Sequence, residues 1–177
     1  MLDIAKQTID FYMKNLQTPK IYDLKVENNP LINQKISVFI TLYYKWEIRG
    51  SAWNIKEIKD NWVSEIIENT IHALSKDDRF QPVSLNEAPD LKIRIDKISS
   101  REILKEKSIK QIEPTISWVI VIKKDYSKMA CILPNINPKL LTWEDFIPIL
   151  KEKLNESDFK ETDYIIYEIK TEVETSY

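Results

Sequence analysis

The sequence of 177 residues contains one glycine, Gly50, where average usage would give about 12. Loops of the P-loop and dinucleotide-binding types need several glycines, because their backbone must approach phosphate groups closely. Neither loop can be built from this chain, so both nucleotide-binding classes are excluded. We expect Gly50 itself to hold a backbone conformation that would strain a residue with a side chain.

Length and composition predict a folded globular protein. Hydrophobic residues make up 43% of the chain and charged residues 31%, which is typical of folded proteins rather than disordered ones. A chain of 177 residues has the ordinary size of one domain. We therefore expect a single domain over residues 1–177, undivided or composed of two subdomains.

Charge and cysteine content restrict partners and compartment. Lys and Arg number 26 and Asp and Glu 28, giving a formal charge of -2, so neither nucleic acid nor an anionic membrane is expected as a partner. One cysteine, Cys131, cannot form an internal disulfide and suits a reducing compartment. The first residues carry charges where a signal peptide has an apolar run, and the apolar stretches fall short of the ~20 residues of a membrane span. We expect a cytoplasmic location.

Apolar residues at helical spacing predict four helical segments. The first runs from Leu2 to Leu16 and ends at Thr18-Pro19, before a loop that holds Asn28-Asn29-Pro30. Asp60 or Asn61 caps the second. Its inner face is formed by Trp62, Val63, Ile66, Ile67, Thr70, Ile71 and Leu74.

The two later helical segments are less regular. Residues 100–112 are expected to be helical in part. Thr142 caps a last helix that reaches Leu154, with Asp145 placed in its first turn to favour the helix dipole. Pro148 should kink this helix or delay its start.

Alternating apolar residues predict the strands. Residues 36–42 and 47–53 form a hairpin around Tyr44-Lys45-Trp46, 91–95 a half-exposed strand, 118–122 and 129–133 a second hairpin, and 164–173 a final strand. This mixture indicates an α/β chain of the α+β type, with a mostly antiparallel sheet and packed helices. The expected core residues are Ile40, Leu42, Ile66, Ile67, Ile93, Val119 and Val121.

Several of these segments, in this order, resemble the AMMECR family, whose prokaryotic members are also called protein A of the AmmeMemoRadiSam system. The similar segments are Val38-Phe39-Ile40-Thr41-Leu42, Glu47-Ile48-Arg49-Gly50, Ile66 to Ile71, Asp78-Arg79-Phe80 with Pro82, Leu91 to Ser99, Leu133-Pro134, and Trp143-Glu144-x-Phe146. Asp78-Arg79-Phe80 is similar to the family's Asp-x-Arg-Phe element, shifted by at most one residue. The resemblance covers about residues 2 to 173. It implies a two-lobed AMMECR-like fold with the first hairpin lining a cleft, and a poorly defined function that is often suspected to be enzymatic.

The chain departs from the family signature at one point. The family usually has Arg-Gly-Cys-Ile-Gly, whereas this chain has Arg49-Gly50-Ser51-Ala52-Trp53. A hydroxyl thus replaces the thiol, and an indole replaces a small residue. The departure weakens the expectation of enzymatic activity for this chain.

The signature segment carries the candidate binding site. We expect Arg49 and Arg79 to form one polar recess, with Gly50 letting the backbone turn, Ser51 offering a hydroxyl and Trp53 narrowing the space. Two guanidinium groups there would bind a carboxylate or phosphate through paired hydrogen bonds. Alternatively the segment is a structural clasp, in which the arginines pair with internal carboxylates such as Asp78.

Two function classes follow from this site. The favoured one is a non-catalytic binding or accessory protein whose cleft takes a small anion, a peptide or a partner protein. The alternative is an enzyme of unknown reaction that uses the same cleft. Ser51 is a weak candidate for a nucleophile, because no base adjoins it in the sequence and the chain has one histidine, His72.

The spacing i, i+3, i+7 of Glu65, Glu68 and His72 could place three metal ligands on one side of a helix. The opposite side of that helix is apolar, so we expect these three residues to face solvent. No tightly bound metal and no cofactor are therefore expected.

Two further features favour packing over function. Cys131 lies in a predicted strand, where a small buried side chain is the expected role. Tyr43, Tyr44, Trp46 and Trp53 gather around the first hairpin. They could stack on a ligand or partner, although cross-strand packing is favoured slightly.

Overall fold

The computed structural model describes residues 1–26, 33–105, 108–113, 115–134 and 141–177. The predicted loop at Asn28-Asn29-Pro30 lies outside these ranges. The described part contains three α-helices and six strands: α1 (Leu2–Asn15), β1 (Val38–Tyr44), β2 (Glu47–Trp53), α2 (Trp62–Ser75), β3 (Lys92–Ile103), β4 (Trp118–Lys123), β5 (Met129–Ile132), α3 (Trp143–Leu154) and β6 (Tyr164–Thr175). The predicted α+β class is confirmed.

The helices begin and end through local signals. α1 stops at Leu16, which adopts a left-handed conformation with φ 53°, so the helix ends before Thr18-Pro19 rather than at it. Asn61 caps α2, its side chain accepting a hydrogen bond from the Ser64 N–H. In α3, Thr142 and Asp145 form a capping box. That helix begins at Trp143, so Pro148 does not delay its start.

The strands confirm both predicted hairpins and correct one predicted helix. β1 and β2 are joined by Lys45 and Trp46, both with positive φ, which the type I′ hairpin turn requires. β3 continues to Ile103, so the prediction of partial helix is wrong for residues 100–103. The Leu104 N–H donates to the Ile166 carbonyl, and this hydrogen bond to a strand residue replaces a helical one. Only the short 3₁₀ turn Ile109–Gln111 is helical in the described part of 100–112.

The six strands follow the order β2-β1-β3-β6-β4-β5, and the β1–β2, β1–β3, β4–β5 and β4–β6 pairs are antiparallel. The chain divides into two compact units. The first comprises residues 1–98 and 172–177, and the second residues 99–171. Both β3 and β6 contribute residues to each unit.

Each unit has a hydrophobic core of its own. In the first unit, α1 and α2 supply Ile4, Ile9, Ile66 and Leu74, which join strand residues such as Ile40. In the second, residues of α3 pack with those of β4, β5 and β6. The seven core residues predicted from the sequence are all at most 5% exposed.

Candidate functional site

Gly50 lies where strand β2 meets helix α2. Its φ is not positive, so the expectation that it serves an unusual backbone conformation is wrong. A Cβ atom built at Gly50 would instead overlap the carbonyl oxygen of Ala73 and lie 3.1 Å from the carbonyl carbon. The glycine is required because the backbones of β2 and α2 approach each other too closely for any side chain.

Arg49 follows a different course from its neighbours in β2. The register of β1 and β2 shifts between Leu42 and Tyr43, which pair with Gly50 and Ile48. Arg49 is therefore the extra residue of a β-bulge. Bulges re-aim side chains, and here the guanidinium of Arg49 reaches the segment 81–87.

The Arg49 guanidinium is fully engaged within the protein. Its Nε and Nη2 donate to the two carboxylate oxygens of Glu87 at 2.7 and 3.1 Å, and Nη1 and Nη2 donate to the carbonyls of Gln81 and Pro82 at 2.8 and 3.2 Å. The Arg49 side chain is 16% exposed. The hydrogen bond from Arg49 is the main reason that the pKa of Glu87 falls from 4.5 to about 2. Arg49 thus fastens segment 81–87 to β2.

Ser51 and Arg79 converge on one carboxylate, that of Asp77. Its Oδ2 accepts hydrogen bonds from the Ser51 N–H at 2.8 Å and from Arg79 Nη2 at 2.6 Å, while Oδ1 accepts from Arg79 Nε at 2.9 Å. Arg79 Nη2 also donates to Ser51 Oγ at 2.7 Å. The Asp77 side chain is 6% exposed, whereas that of Arg79 is 48% exposed. An internal acid therefore occupies the position that an anion would take between these donors.

The electrostatics of this group are unfavourable to nucleophilic catalysis. Burial raises the pKa of Asp77, but hydrogen bonds from Arg79 and from the Ser51 N–H outweigh burial, so the pKa lies below its ordinary value. A carboxylate with a lowered pKa is a poor general base toward the Ser51 hydroxyl, 3.4 Å away. What the arrangement offers chemically is hydrogen-bond donation from a fixed guanidinium.

Sequence reasoning missed Asp77 and Glu87, the two carboxylates that hold the arginines. Asp78, which it named, is exposed. The signal for Asp77 was present: residues 77–80 read Asp-Asp-Arg-Phe, so Asp77 is the acid that fits Asp-x-Arg-Phe without a shift. Trp53 stacks on its cross-strand partner Phe39, with ring centroids 5.7 Å apart.

The three residues considered as metal ligands on α2 do not share one environment. Glu65 is 0% exposed, so the prediction that it faces solvent is wrong. Its carboxylate accepts hydrogen bonds from the side-chain amides of Asn54 and Asn69 and from the Lys59 N–H. Asn69 and Ala73, which follow Glu65 at successive turns of α2, are buried as well. Among the residues that the structure describes, no three His, Cys, Asp or Glu side chains are grouped to hold a metal.

Two aromatic residues of the first hairpin pack against Tyr177. Tyr43 and Trp46 both make edge contacts with the ring of Tyr177, at centroid distances of 6.1 and 5.3 Å. Cys131 lies in β5 as predicted, but it is only partly buried. Within the described residues, no helix has the length and apolar character needed to cross a membrane.

These features define the class of protein. It is an α+β fold in which an Arg-Gly hairpin packs against a helix and is fastened by an Asp-x-Arg-Phe segment. The chain belongs to the AMMECR1 family, whose model matches residues 2–173.

Two known proteins are similar to this chain. A protein of Thermotoga maritima is 32% identical over 94 residues, which cover 52% of this chain and 53% of the relative; the match thus spans about half of that relative. The crystal structure of the uncharacterized protein PH0010 from Pyrococcus horikoshii superposes with a TM-score of 0.77 and 22% identity, over 96% of this chain and 86% of the other. The structural likeness confirms the fold.

Proposed function

We propose that this chain is a non-catalytic binding protein whose recess beside Ser51 and Arg79 takes one small carboxylate or phosphate group. The supporting observation is the state of Arg79. Its guanidinium is held in one orientation by Asp77, yet its side chain remains 48% exposed. Preorganised donors of this kind lose little entropy on binding an anion.

The nitrogen of Arg79 that is available to bind an anion is Nη1. The contacts with Asp77 and Ser51 use Nε and Nη2, and Nη1 makes no hydrogen bond to a described residue. The guanidinium also lies 5.2 Å from the ring centroid of Phe80, which fixes its plane further. Because Asp77 balances the charge of Arg79, the affinity for a free anion is expected to be weak, at about millimolar Kd.

The lowered pKa of Asp77 favours binding over catalysis. The ligand group would be presented by a small anion, an acidic peptide or a partner protein. The formal charge of -2 supports such partners over nucleic acid or an anionic membrane, and the single cysteine supports a cytoplasmic location.

Titration of acetate and inorganic phosphate, followed by the NMR signals of Ser51 and Arg79, tests the proposal. We expect saturable shifts in the wild type, a loss of binding of about tenfold in Arg79→Ala, and a smaller loss in Arg79→Lys, which keeps the charge but not the planar donors. Arg49→Ala is the matched control, since Arg49 is engaged internally; it should lower stability and leave binding unchanged.

Two results would contradict the proposal. One is equal binding by the wild type and Arg79→Ala. The other is labelling of the wild type, but not of Ser51→Ala, by a serine-directed fluorophosphonate, which would establish the enzymatic alternative.

A further inference from the structure

A cavity lies beside α2, in the first unit. It has a volume of about 680 Å³ and is bounded by α2 and the segment 18–22. This volume falls within the range of about 300–1,000 Å³ that is usual for small-molecule sites. None of the residues in the recess at Ser51 and Arg79 lines it.

The wall of the cavity combines an apolar surface with cations. Ile67 and Ile71 of α2, which are 5% and 4% exposed, contribute the apolar part. Lys20, Lys59 and Lys76 contribute ammonium groups. A wall of this composition suits a ligand that has an apolar body and a negative charge.

The charges around the cavity do not balance. Lys59 forms an ion pair with Glu68, so these two cancel. Among the described residues, no carboxylate lies within 4 Å of the Nζ atoms of Lys20 or Lys76. Lys20 lies over the ring of Tyr22 at 5.6 Å, and Lys76 Nζ is 3.2 Å from His72 Nε2. Two ammonium groups thus border one cavity in a protein whose formal charge is -2.

His72 responds to the same electrostatic field. Burial, then Lys76, lowers its pKa; Glu68 acts in the opposite direction and Lys59 lowers it again, so the pKa lies below its ordinary value. Lys20 and Tyr22 border the cavity from the facing segment. A neutral imidazole accepts a hydrogen bond from the Lys76 ammonium group and adds no charge to the site at neutral pH.

We propose that this cavity binds an organic anion in which an apolar or aromatic body carries one phosphate or carboxylate group. The body lies against Ile67 and Ile71, and the anionic group is bound by Lys20 and Lys76. An ammonium group binds a phosphate or a carboxylate as a point charge. The two anionic groups are therefore equivalent as ligands of Lys20 and Lys76. The site is independent of the recess at Ser51 and Arg79.

His72 provides a direct test, because it is the single histidine of the chain and its ring C–H signals in an NMR spectrum are unambiguous. The probes are phenyl phosphate, benzoate, inorganic phosphate and neutral benzyl alcohol. We expect saturable shifts of the His72 signals with phenyl phosphate or benzoate, and binding at least about fivefold weaker with the other two. A bound anion favours the protonated imidazole, so the His72 pKa should rise on saturation.

Variants separate this site from the first. The double variant Lys20→Ala/Lys76→Ala removes two exposed cations without touching the core, and should weaken binding by about tenfold or more. Lys6→Ala, an equal change of charge at an exposed position of α1, is the control and should bind as the wild type does. Arg79→Ala should also leave this binding unchanged, even if it abolishes anion binding at the recess.

Three outcomes would overturn the proposal. The first is that the His72 signals do not shift with phenyl phosphate or benzoate at concentrations up to about 20 mM. Any affinity would then be too weak for a small-molecule site. The second is wild-type binding by the double lysine variant. The third is equal affinity for inorganic phosphate and phenyl phosphate, which would show that the apolar wall contributes nothing.

Discussion

Gly50 has a steric role, because it leaves room for the backbone of α2. Adding a methyl group there would drive a carbon into the Ala73 carbonyl, and neither backbone can move without displacing its strand or helix. Gly50→Ala should therefore lower the free energy of unfolding by about 3 kcal/mol or more, as measured by urea denaturation. Ile48→Ala, at a position 38% exposed in the same strand, serves as the control. A loss at Gly50 no larger than the control's would refute the close-approach argument.

The Arg49–Glu87 pair makes stability depend on pH. Folding lowers the pKa of Glu87 from 4.5 to about 2, so its contribution is complete above 4.5 and is lost as the pH falls through about 2. Glu87→Gln should cost about 1–2 kcal/mol at pH 7. The difference from the wild type should shrink steadily below pH 4.5 in denaturation experiments. A constant difference across that range would show that charge is not what holds the pair.

The carboxylate that holds Arg79 was not identified from the sequence. Arg79 donates to the Ser51 hydroxyl, whereas Arg49 is engaged by Glu87. The choice between Asp77 and Asp78 could not be made from residue type, since both are acids of the same segment. It is decided by the backbone after α2, which buries one carboxylate and exposes the other.

Among the helices, α2 is the one for which the prediction of the solvent-facing side was wrong in part. Apolar periodicity correctly predicted its inner face, but it also assigned Glu65 to solvent. A polar side chain on a helix can be buried when it hydrogen-bonds to other polar side chains, as Glu65 does to Asn54 and Asn69. Periodicity of apolar residues does not register such a face.

The buried carboxylate of α2 yields a prediction. Glu65→Ala would remove the acceptor of the Asn54 amide and the Lys59 N–H and leave the buried Asn69 amide only the Glu65 backbone carbonyl, and it should cost about 2–3 kcal/mol. Glu68→Ala removes a partner from a half-exposed ion pair of the same helix and should cost less than about 1 kcal/mol. Thermal unfolding of both variants at pH 7 gives the comparison. Equal losses would mean that the network around Glu65 contributes no stability.

The elements were otherwise predicted well wherever periodicity was sustained over a whole segment. Both hairpins, the first, second and last helices and the final strand were anticipated. The segment 100–103 was not, because its alternation is interrupted by Ser100 and Arg101 and helix-forming residues follow. Its strand conformation depends on pairing with a segment more than 60 residues away, which local sequence cannot show.

On the scale of the whole molecule, the two hydrophobic cores should lose stability separately. Leu150 is fully buried in the second unit and Ile66 in the first. Leu150→Ala should cost about 2–5 kcal/mol, and amide hydrogen exchange should accelerate first in residues 99–171. Ile66→Ala should accelerate exchange first in the other unit. Uniform acceleration by both variants would indicate a single cooperative body.

The α+β class and a mostly antiparallel sheet were foreseeable for the whole chain, because the order of helices and strands allows few alternatives. The extent of the family match was foreseeable as well. The cavity beside α2 was not. Its lysines and histidine lie up to 56 positions apart in the sequence, between Lys20 and Lys76, and each alone is an ordinary surface residue.

Within the described ranges, five residues with side chains, Leu16, Lys45, Trp46, Tyr126 and Asn155, take left-handed conformations that cost an ordinary residue about 1–2 kcal/mol. Substitutions at these positions can therefore raise the thermal stability of the protein. Tyr126 is 76% exposed, so Tyr126→Asn should raise the thermal midpoint by a few degrees, through about 0.5–1 kcal/mol, whereas Tyr22→Asn, at an equally exposed position without positive φ, should not. The same substitution logic fails at Gly50, whose missing side chain sets the spacing between a strand and a helix.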